Sequence, residues 1–586
     1  MNFDFIGRVC RLAVIGATLL ASASCIQVNE QLGENLIPTD QKWDVFPQED
    51  APLRSIRLQM ADSLSGYSSS RFTLGAIKDD VLGTTVKGST FTLIPVSDTL
   101  DFGKNTEVRG FYFTAAKDTL SAAYDYQRRI LQNIYVYELK QALDSTVLYA
   151  GEFTSEEMRN RYIDFSTRIT DGVPVYDGGD SLSFEFSKAF AESMVERLKA
   201  ADMDSIKFYL NGNEKKGTKG IPGIYITTDT PAEMGGRYNL FKLKIDYDSQ
   251  YGYITGNYAE LKIRADYGSR TGVDTSFVFM FGAGDFIKNI KNTSDIPQYA
   301  FNASIHDSYS VYEKEGVPAA DKIFVEGGCG VKPVIKAAEI REIIEEQMVA
   351  AGIADISETV INKATIVFPY NVNGDYDLID KFPLILSPTV KLRSSDNKYV
   401  TYAGLTDSSI ASENQGNINR SLNLYSPDIS HHVQEIMKVK KDENYDKNIE
   451  KYDIWLLIMH EEVTESSNNN ASNDFYNNLM YNSYYNNMMY DPYGYGYGYG
   501  GYGGYGGYGG YGGYGGYGYN NYYNYYMMAA YANSYNTTTE ESSIELDKDR
   551  YYRCTLNGPD YSDNIKELPR LRVTFSSPKT AEKANE

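Results

Sequence analysis

The chain has 586 residues, with 56 Lys and Arg against 78 Asp and Glu, and a formal net charge of −22. At about 100–200 residues per domain this length holds about two to four domains, and a hydrophobic fraction of 42% excludes wholesale disorder. The acidity argues against nucleic acid as a main partner, because phosphate binding depends on Lys and Arg. Only 4 Cys and 4 His are present, which excludes a disulfide-dense scaffold and leaves few ligands for soft metals.

The first 24 residues have the pattern of a signal peptide. Arg8 and Arg11 precede an apolar run over 12–23 that is too short to span a bilayer. The run ends in the small residues ASAS directly before Cys25, as in a bacterial lipobox, so we predict cleavage there and acylation of Cys25. Ordinary cleavage that leaves a free thiol is the alternative, because Ser22 stands where Leu is usual.

The body of the chain is predicted to be mainly β, with antiparallel β-sandwich-like domains. Apolar and polar residues alternate at 55–60, 134–137, 181–186, 241–245 and 259–264, a period typical of antiparallel strands with one buried face. We predict six segments. These are a lipoprotein signal peptide over 1–24, a tether over 25–50, β-rich N-terminal and C-terminal regions over 51–300 and 301–463, an insert over 464–543, and a return strand with a tail over 544–586.

Two or three short helices interrupt this pattern. Apolar residues at helical spacing predict helices over 190–200 and 337–351, and a third is predicted over 429–438 with Asp428 as its N-terminal cap. The alternating charges of 438–451 predict a solvated loop. Cys329 and Cys554 could pair across domains or stay as two buried thiols, and we favour unpaired thiols.

The insert over 464–543 has a composition unlike the rest of the chain. It is rich in Tyr, Gly and Asn, with Tyr-Gly-Gly repeats over 499–517, and neither Lys nor Arg occurs between Lys451 and Lys548. Its Gly-rich centre has too little apolar area to offset chain entropy, so we predict a long disordered loop between two strands. Its Tyr rings could stack on sugars or on each other, or the repeat could be a neutral expansion.

Several stretches resemble one lipoprotein family. Residues 74–85, LGAIKDDVLGTT, are similar to the pattern LG-x-x-x-D-x-x-FG-x-T, with Leu82 in place of Phe. Further similar stretches are GENLIP at 33–38, INKATIVFP at 361–369, YSPDIS at 425–430 and LRVTF at 571–575. The chain resembles the family called domain of unknown function 4270, from Bacteroidota-type outer membranes. The resemblance implies a lipid anchor and a β-rich architecture but no reaction, and it leaves open which face of the outer membrane the protein occupies.

Motifs that could carry chemistry have simpler structural interpretations. His431, His432 and His460 lack the further ligands of a metal site, so we interpret them as solvent-exposed or capping residues and predict neither metal nor cofactor. The pair Asp79–Asp80 could bind Ca²⁺ or act on a glycoside, but such a pair more often stabilises a turn. The stretch 327–330, GGCG, is predicted to be a turn, because it lacks the residues of a phosphate-binding loop and no His is placed beside Cys329.

Six triplets resemble the O-glycosylation acceptor of Bacteroidota envelopes, in which Asp precedes Ser or Thr. The predicted acceptors are Ser63, Thr99, Thr119, Ser145, Ser181 and Ser205. An acidic turn that enters a strand has the same residue pattern, so each site is also explained without a glycan.

Two classes of function stay open. The first is a non-enzymatic lipoprotein that binds or assists an outer-membrane barrel, an assembly complex or a secretion complex. The second is a surface lipoprotein that binds or hydrolyses carbohydrate, with an adhesin as a further alternative.

Overall fold

The computed structural model describes residues 43–578 with internal gaps. The gaps are 68–70, 96–99, 119–129, 144–145, 201–219, 221, 244–245, 249–252, 256, 282–299, 313–315, 354–355, 375–378, 380–381, 394–399, 410–413, 467–538 and 551. The predicted signal peptide, Cys25, most of the predicted tether and most of the Tyr/Gly-rich insert therefore lie outside the described residues.

Strands dominate the described chain, and all their pairings are antiparallel. The strands up to residue 306 are β1 Trp43–Pro52, β2 Ile56–Met60, β3 Arg71–Asp79, β4 Gly83–Phe91, β5 Ile94–Pro95, β6 Lys104–Ala116, β7 Gln132–Leu139, β8 Ile163–Arg168, β9 Val175–Tyr176, β10 Ser181–Glu185, β11 Ile224–Thr228, β12 Gly235–Lys242, β13 Asp246–Asp248, β14 Tyr253–Thr255, β15 Tyr258–Tyr267, β16 Arg270–Met280 and β17 Phe301–His306. The remaining strands are β18 Val317–Pro318, β19 Lys322–Glu326, β20 Val331–Ile335, β21 Val360–Pro369, β22 Ile385–Arg393, β23 Val400–Gly404, β24 Ile418–Asn419, β25 Leu424–Tyr425, β26 Ile454–Ser466, β27 Thr539–Leu546, β28 Arg553–Asn557 and β29 Arg570–Pro578. The predicted mainly β, antiparallel fold class is confirmed.

The three predicted helices are present, and shorter ones accompany them. The helices are α1 Glu156–Tyr162, α2 Lys188–Ala200, α3 Tyr309–Tyr312, α4 Ala337–Ala350, α5 Ser430–Lys438 and α6 Tyr445–Ile449. The prediction missed α1, although Ser155 caps it by accepting a hydrogen bond from the amide of Met158. The predicted loop over 438–451 is wrong in part, because α6 lies there, but most of its side chains are exposed as expected.

The first core lies between two facing sheets. One sheet has the order β12-β3-β4-β11-β7-β8, with β17 also paired to β4, and the other has the order β10-β6-β15-β16-β5. Phe rings fill the space between them, as the centroid distances of 5.9 Å for Phe91–Phe113 and 4.8 Å for Phe113–Phe281 show. Each buried aromatic ring removes a large apolar area from water, so this layer of rings supplies much of the hydrophobic stabilisation.

The second core lies between another pair of sheets, together with α4 and α5. Their orders are β18-β2-β20-β26-β22-β23 and β1-β29-β21-β25-β24. The first two strands of the chain thus belong to the second core, since β1 pairs with β29 and β2 with β20. Conversely, β17 pairs with β4 of the first core. The predicted boundary at 300/301 therefore does not coincide with a break between sheets.

The Tyr/Gly-rich segment is carried by a hairpin of two paired strands. β26 and β27 run antiparallel from Met459 opposite Leu546 to Ser466 opposite Thr539. The predicted single return strand at 571–575 is an incomplete description, because three strands, β27, β28 and β29, follow residues 467–538. The predicted insert boundaries of 464 and 543 fall inside β26 and β27.

Beyond Met459, β27 is the only described strand that pairs with β26, although Arg550 Nη1 also donates to the carbonyl of Glu461 at 2.6 Å. β22 pairs with β26 only over 455–459, and β20 pairs with it only at 454–455. The outer part of the hairpin, residues 460–466 and 539–545, therefore extends past the sheet, and we call it the hairpin arm. None of the helices within the described ranges is long and apolar enough to cross a membrane.

Candidate functional site

A group of ionisable side chains is buried where the two cores meet. It consists of Lys87 on β4, His306 on β17, Glu326 at the end of β19, Cys329 in the following turn and Lys332 on β20, and we call it the buried polar cluster. Each of these residues has at most 4% of its surface exposed. Burying ionisable groups is costly unless they have hydrogen-bond or charge partners, and most members of this cluster have them, either in the cluster or in the backbone around it.

The turn that carries Cys329 is held by its own neighbours. Lys332 Nζ donates to the carbonyl oxygens of Gly328 at 2.8 Å and Gly330 at 3.2 Å, and also to that of Glu326. Gly328 has a φ of +60°, in the left-handed region that favours glycine. The predicted turn over 327–330 is confirmed, and Lys332 is the residue that closes it.

A histidine that the sequence analysis did not consider lies beside Cys329. Cys329 Sγ is 3.6 Å from His306 Nε2, and His306 Nδ1 is 4.0 Å from Glu326 Oε1. A cysteine beside a histidine is the pairing that activates a thiol nucleophile in cysteine enzymes. Here Thr85 stands between the histidine and the carboxylate, because His306 Nδ1 is 3.0 Å from Thr85 Oγ1, which donates to Glu326 Oε1 at 3.2 Å. The expectation that no His is placed beside Cys329 is therefore wrong.

The ionisation of the pair follows from this contact. Burial works to raise the pKa of Cys329, but the hydrogen bond and charge of His306 outweigh it and lower that pKa. Burial likewise works to lower the pKa of His306, but the Glu326 carboxylate outweighs it and raises that pKa. Each group thus favours the charged form of the other.

The same contacts keep the thiol away from solvent. Cys329 is 2% exposed, and the amide of neighbouring Gly327 donates to the carbonyl of Tyr552 at 2.7 Å. A Cβ atom added at Gly328 would lie only 2.7 Å from the carbonyl oxygen of Lys548. The segment that follows β27 therefore covers the turn, and a substrate cannot reach Sγ in this conformation. Cys329 and Cys554 are both free and buried.

The buried charges at this junction include Lys87, a member of the buried polar cluster, and Asp549. Lys87 Nζ lies 4.7 Å from the centre of the Tyr238 ring and has no hydrogen-bond partner among the residues that the structure describes. Burial raises the pKa of Asp549, and the Asn302 amide donates to its carboxyl at 3.1 Å. An aromatic face is a favourable neighbour for a desolvated ammonium group.

The alternation of polar and apolar residues along β17 places His306 of the buried polar cluster on a polar face of the strand. Asn302, Ser304 and His306 alternate with the apolar residues of this strand, and all three are at least 95% buried. Three polar residues on one face of a strand ordinarily indicate the solvent side. Only the packing of the second core against this face shows that it is internal.

Asp79 has the structural role that was expected of it. Its Oδ1 accepts hydrogen bonds from the amides of Val81 and Leu82 at 2.9 and 3.0 Å, which closes the turn between β3 and β4. Arg553 Nη1 lies 2.8 Å from Oδ2, and the Tyr552 hydroxyl donates to the same oxygen at 2.7 Å. Asp80 is exposed, so the two carboxylates do not converge on one site.

The pKa of Asp79 reflects these contacts. Burial works to raise it, but hydrogen bonds from the Leu82 amide and the Tyr552 hydroxyl, aided by the Arg553 charge, hold it below its ordinary value. Asp79 therefore stays ionised at neutral pH and links the β3–β4 turn to β28.

The neighbouring histidines 431 and 432 begin α5, but their helix is capped differently from the prediction. Asp407 Oδ1 accepts from the His431 amide at 2.7 Å, and Oδ2 accepts from the His432 amide at 3.0 Å. The prediction that Asp428 caps this helix is wrong, because its Oδ2 accepts from the Asn414 amide instead.

The histidine side chains are placed separately. His431 is exposed, whereas His432 is buried and its Nε2 donates to the carbonyl of Tyr452 at 2.8 Å. Burial lowers the pKa of His432 to about 4. His460 is 4% exposed, and its Nδ1 lies 3.7 Å from Asp547 Oδ1. The predicted solvent exposure is therefore found for His431 but is wrong for His432 and His460. Across the part of the chain that the structure describes, no group of three or more His, Cys, Asp or Glu residues is arranged to hold a metal ion.

Two of the six predicted glycosylation acceptors fall within the described residues. Ser63 is buried and donates to Asp62 Oδ1 at 2.8 Å, whereas Ser181 begins β10 with an exposed side chain. A glycan is bulky and must project into solvent, so Ser181 is the better placed of the two. Thr99, Thr119, Ser145 and Ser205 lie outside the described residues, as does Cys25.

The described chain is thus a mainly β protein with two sandwich cores and a buried polar junction. Comparison with protein-family models, with curated proteins and with solved structures finds no match. The resemblance to the lipoprotein family stays a prediction from the sequence motifs.

Proposed function

We propose that this protein is a non-enzymatic cell-envelope lipoprotein, anchored in the outer membrane by acylated Cys25, that acts as a binding or accessory module. Its partner is an outer-membrane protein complex, such as a barrel or an assembly or secretion complex. The observation that carries the proposal is the leader that ends in ASAS before Cys25, followed 18 positions later by the first strand of a folded body at Trp43.

The hairpin arm supports the binding part of the proposal. Its paired strands project beyond the sheet and lead directly into the Tyr-rich residues 467–538. Tyr rings provide large amphipathic contact surfaces at a low cost in side-chain entropy, which is why they dominate many binding loops. A Tyr-rich segment presented by an ordered hairpin suits capture of a partner protein.

The buried polar cluster is a structural feature in this proposal. Its thiol, imidazole and carboxylate lie beneath the segment after β27, and their contacts join the two cores. A fixed arrangement of the two cores is what a binding module needs in order to present the hairpin arm in one orientation.

The anchoring step is tested by mass spectrometry of the protein purified from membranes. We expect the N-terminal peptide to begin at Cys25 and to carry acyl chains, and a Cys25→Ser variant to leave the membrane fraction. A mature N-terminus with an unmodified thiol would contradict the proposal.

The binding step is tested by crosslinking in intact membranes. We expect the wild-type chain to capture an outer-membrane protein and a variant with residues 467–538 replaced by Asn-Gly to capture much less of it. Equal capture by both chains would move the binding surface away from the Tyr-rich segment. Failure of the wild-type chain to capture any envelope protein would overturn the binding function.

The carbohydrate alternative is tested separately with purified protein. Screening for glycan cleavage with the wild-type chain and with an Asp80→Asn variant uses the exposed member of the aspartate pair, so folding is not at issue. Cleavage that is lost in this variant would replace the proposal by a hydrolase.

A further inference from the structure

The edge strand β1 begins with a small exposed apolar surface. Trp43 and Val45 are 47% and 64% exposed, and they alternate with Asp44 and Phe46. Phe46 turns to the opposite face, where its ring stacks on Phe575 with a centroid distance of 5.1 Å. Trp43 and Val45 therefore share the outer face of this sheet.

The register of the sheet adds a third apolar residue to this face. Val45 lies opposite Ser576 of β29, and Ser576 lies opposite Val360 of β21. Val360 is 44% exposed. Directly opposite residues in neighbouring strands point to the same side, so Trp43, Val45 and Val360 lie on one face of the sheet, with the buried Ser576 between the two valines. We call these three exposed apolar residues the apolar corner.

The apolar corner includes the N-terminal end of the described chain, which follows the predicted anchor in the sequence. Trp43 is the first described residue and is 18 positions from Cys25. Since an extended chain spans at most ~3.6 Å per residue, this corner is held within ~65 Å of the acyl chains whatever path the tether takes. It is the part of the folded body nearest to Cys25 along the chain.

We propose that the apolar corner contacts the lipid bilayer and sets how the body sits on the membrane. This inference rests on the proposed lipid anchor. Tryptophan prefers the membrane interface, because its ring is apolar and its indole N–H stays hydrated. Val45 and Val360, exposed on the same face, add apolar area that becomes buried at the same interface. In this proposal the acyl chains supply the affinity for the membrane, and the apolar corner fixes the orientation of the folded body on it.

The two tryptophans of the chain make this contact measurable. Trp43 is exposed and Trp455 is 5% exposed, so a lipid-borne quencher reports on Trp43. The acylated full chain is reconstituted in phosphatidylethanolamine and phosphatidylglycerol vesicles, with and without lipids brominated near the head of the acyl chain. We expect brominated lipid to quench the fluorescence, and a Trp43→Phe variant, which keeps Trp455, to lose this quenching.

A pair of valine variants separates the corner from a general surface effect. Val45→Asp places a charge beside Trp43 and should reduce the quenching at least roughly two-fold, since a charge resists entry into the interface. Val175→Asp is the matched control, because Val175 is a strand residue with 55% exposure outside the corner. Its quenching should equal that of the wild type.

The outcomes distinguish this inference from the anchor itself. If the chain floats with the vesicles and Cys25 is acylated, but Trp43 is not quenched, the inference fails and the anchor stands. If the chain does not float and Cys25 carries no acyl chain, the anchor and the inference both fail. Quenching that Val45→Asp and Val175→Asp reduce equally would also overturn the inference.

Discussion

Asp79 shows how a single buried carboxylate joins parts of the chain that are far apart in sequence. It closes the turn after β3 through the amides of Val81 and Leu82, and it also binds Tyr552 and Arg553 beyond the Tyr-rich segment. Motif 74–85 therefore has a physical purpose that is independent of any catalysis. Asp79 therefore both closes the β3–β4 turn and connects this N-terminal part of the chain to β28.

Replacing Asp79 should destabilise the protein substantially. Asp79→Asn leaves the Arg553 guanidinium without its charge partner, so we expect a loss of about 2–4 kcal/mol in the free energy of unfolding. Asp80→Asn is the matched control, since Asp80 is exposed, and it should change stability by less than about 0.5 kcal/mol. Urea denaturation of both variants measures the difference, and equal stabilities would refute the assigned role.

The pH dependence of stability should change in the same variant. The pKa of Asp79 is lowered in the folded protein, so its contribution is fully present above the unfolded pKa near ~4 and is lost as pH falls through the folded value. We expect the wild type to lose more stability than Asp79→Asn as the pH is lowered below ~4. The comparison requires urea denaturation of both chains across that range.

Cys329 is a thiol with a lowered pKa that should nevertheless be unreactive, because it is buried. His306 lowers its pKa, yet the thiol is buried under the segment that follows β27. We expect Cys329 to resist alkylation in the native protein and to be alkylated much faster once the protein is unfolded in urea. Peptide mapping by mass spectrometry identifies which cysteine is labelled, and Cys554, whose pKa burial raises to about 12, serves as the internal reference. Rapid native labelling of Cys329 alone would instead reveal an accessible nucleophile.

At the scale of elements, the N-terminus of α5 is capped by Asp407, an acidic residue that lies more than 20 positions before it in the sequence. Asp407 lies in the short 3-10 helix Thr406–Ser409 and accepts from two amides of the first turn of α5. Asp428, two positions before the helix, looked like the natural cap but bonds to Asn414. Local sequence indicates where a helix begins, whereas the capping group can come from another part of the chain.

Removing this cap should weaken α5 and its packing on β21. Asp407→Ala leaves the amides of His431 and His432 without their acceptor, so we expect a loss of about 1–2 kcal/mol. Glu443→Ala, at an exposed position after the helix, should cost less than about 0.5 kcal/mol. Thermal and urea denaturation give both values, and an unchanged Asp407→Ala stability would show that the cap is not needed.

The hairpin arm should fold without the Tyr-rich segment that it carries. The register from Met459–Leu546 to Ser466–Thr539 is set by the paired strands. Replacing residues 467–538 by Asn-Gly shortens the loop to a turn that hairpins favour, so stability should be unchanged or should rise by up to ~3 kcal/mol. Near-ultraviolet circular dichroism and urea denaturation test this, and loss of cooperative unfolding would show that the segment contributes to the fold.

At the scale of the whole molecule, the two cores are built from strands that cross between the halves of the chain. β1 and β2 complete sheets of the second core, and β17 lies on β4 of the first. The buried polar cluster forms where these crossings meet, with His306 from β17 and Cys329 from the turn before β20. The predicted regions 51–300 and 301–463 are therefore interleaved in the fold.

A chain that begins at residue 301 should not fold alone. It lacks β1 and β2, which exposes the edges of β29 and β20, and it leaves β17 without its paired strand β4. We expect fragment 301–586 to be unfolded or aggregated, and a mixture with fragment 1–300 to recover ordered structure. Heteronuclear NMR spectra of each fragment and of the mixture provide the measurement. A dispersed spectrum from fragment 301–586 alone would show an autonomous domain.

Much of the local structure could be predicted from the sequence. Alternation at 181–186 and 259–264 matches β10 and β15, and helical spacing at 337–351 matches α4, because these patterns are set by which face of each element is buried. Likewise, the composition change after residue 464 marks the hairpin to within a few residues. The leader before Cys25 and the proposed anchor also come from the sequence alone.

The contacts at the junction of the cores were decided by tertiary structure. His306 stands in a polar strand pattern that normally faces water, and only the packing of the second core brings it to Cys329 and Glu326. The same holds for Asp407 and α5, and for Trp43 and Val360, which are far apart in sequence and share one surface through strand register. A single sequence specifies periodicity because local burial repeats along the chain. Which distant strands become neighbours depends on the free energy of the whole packed molecule.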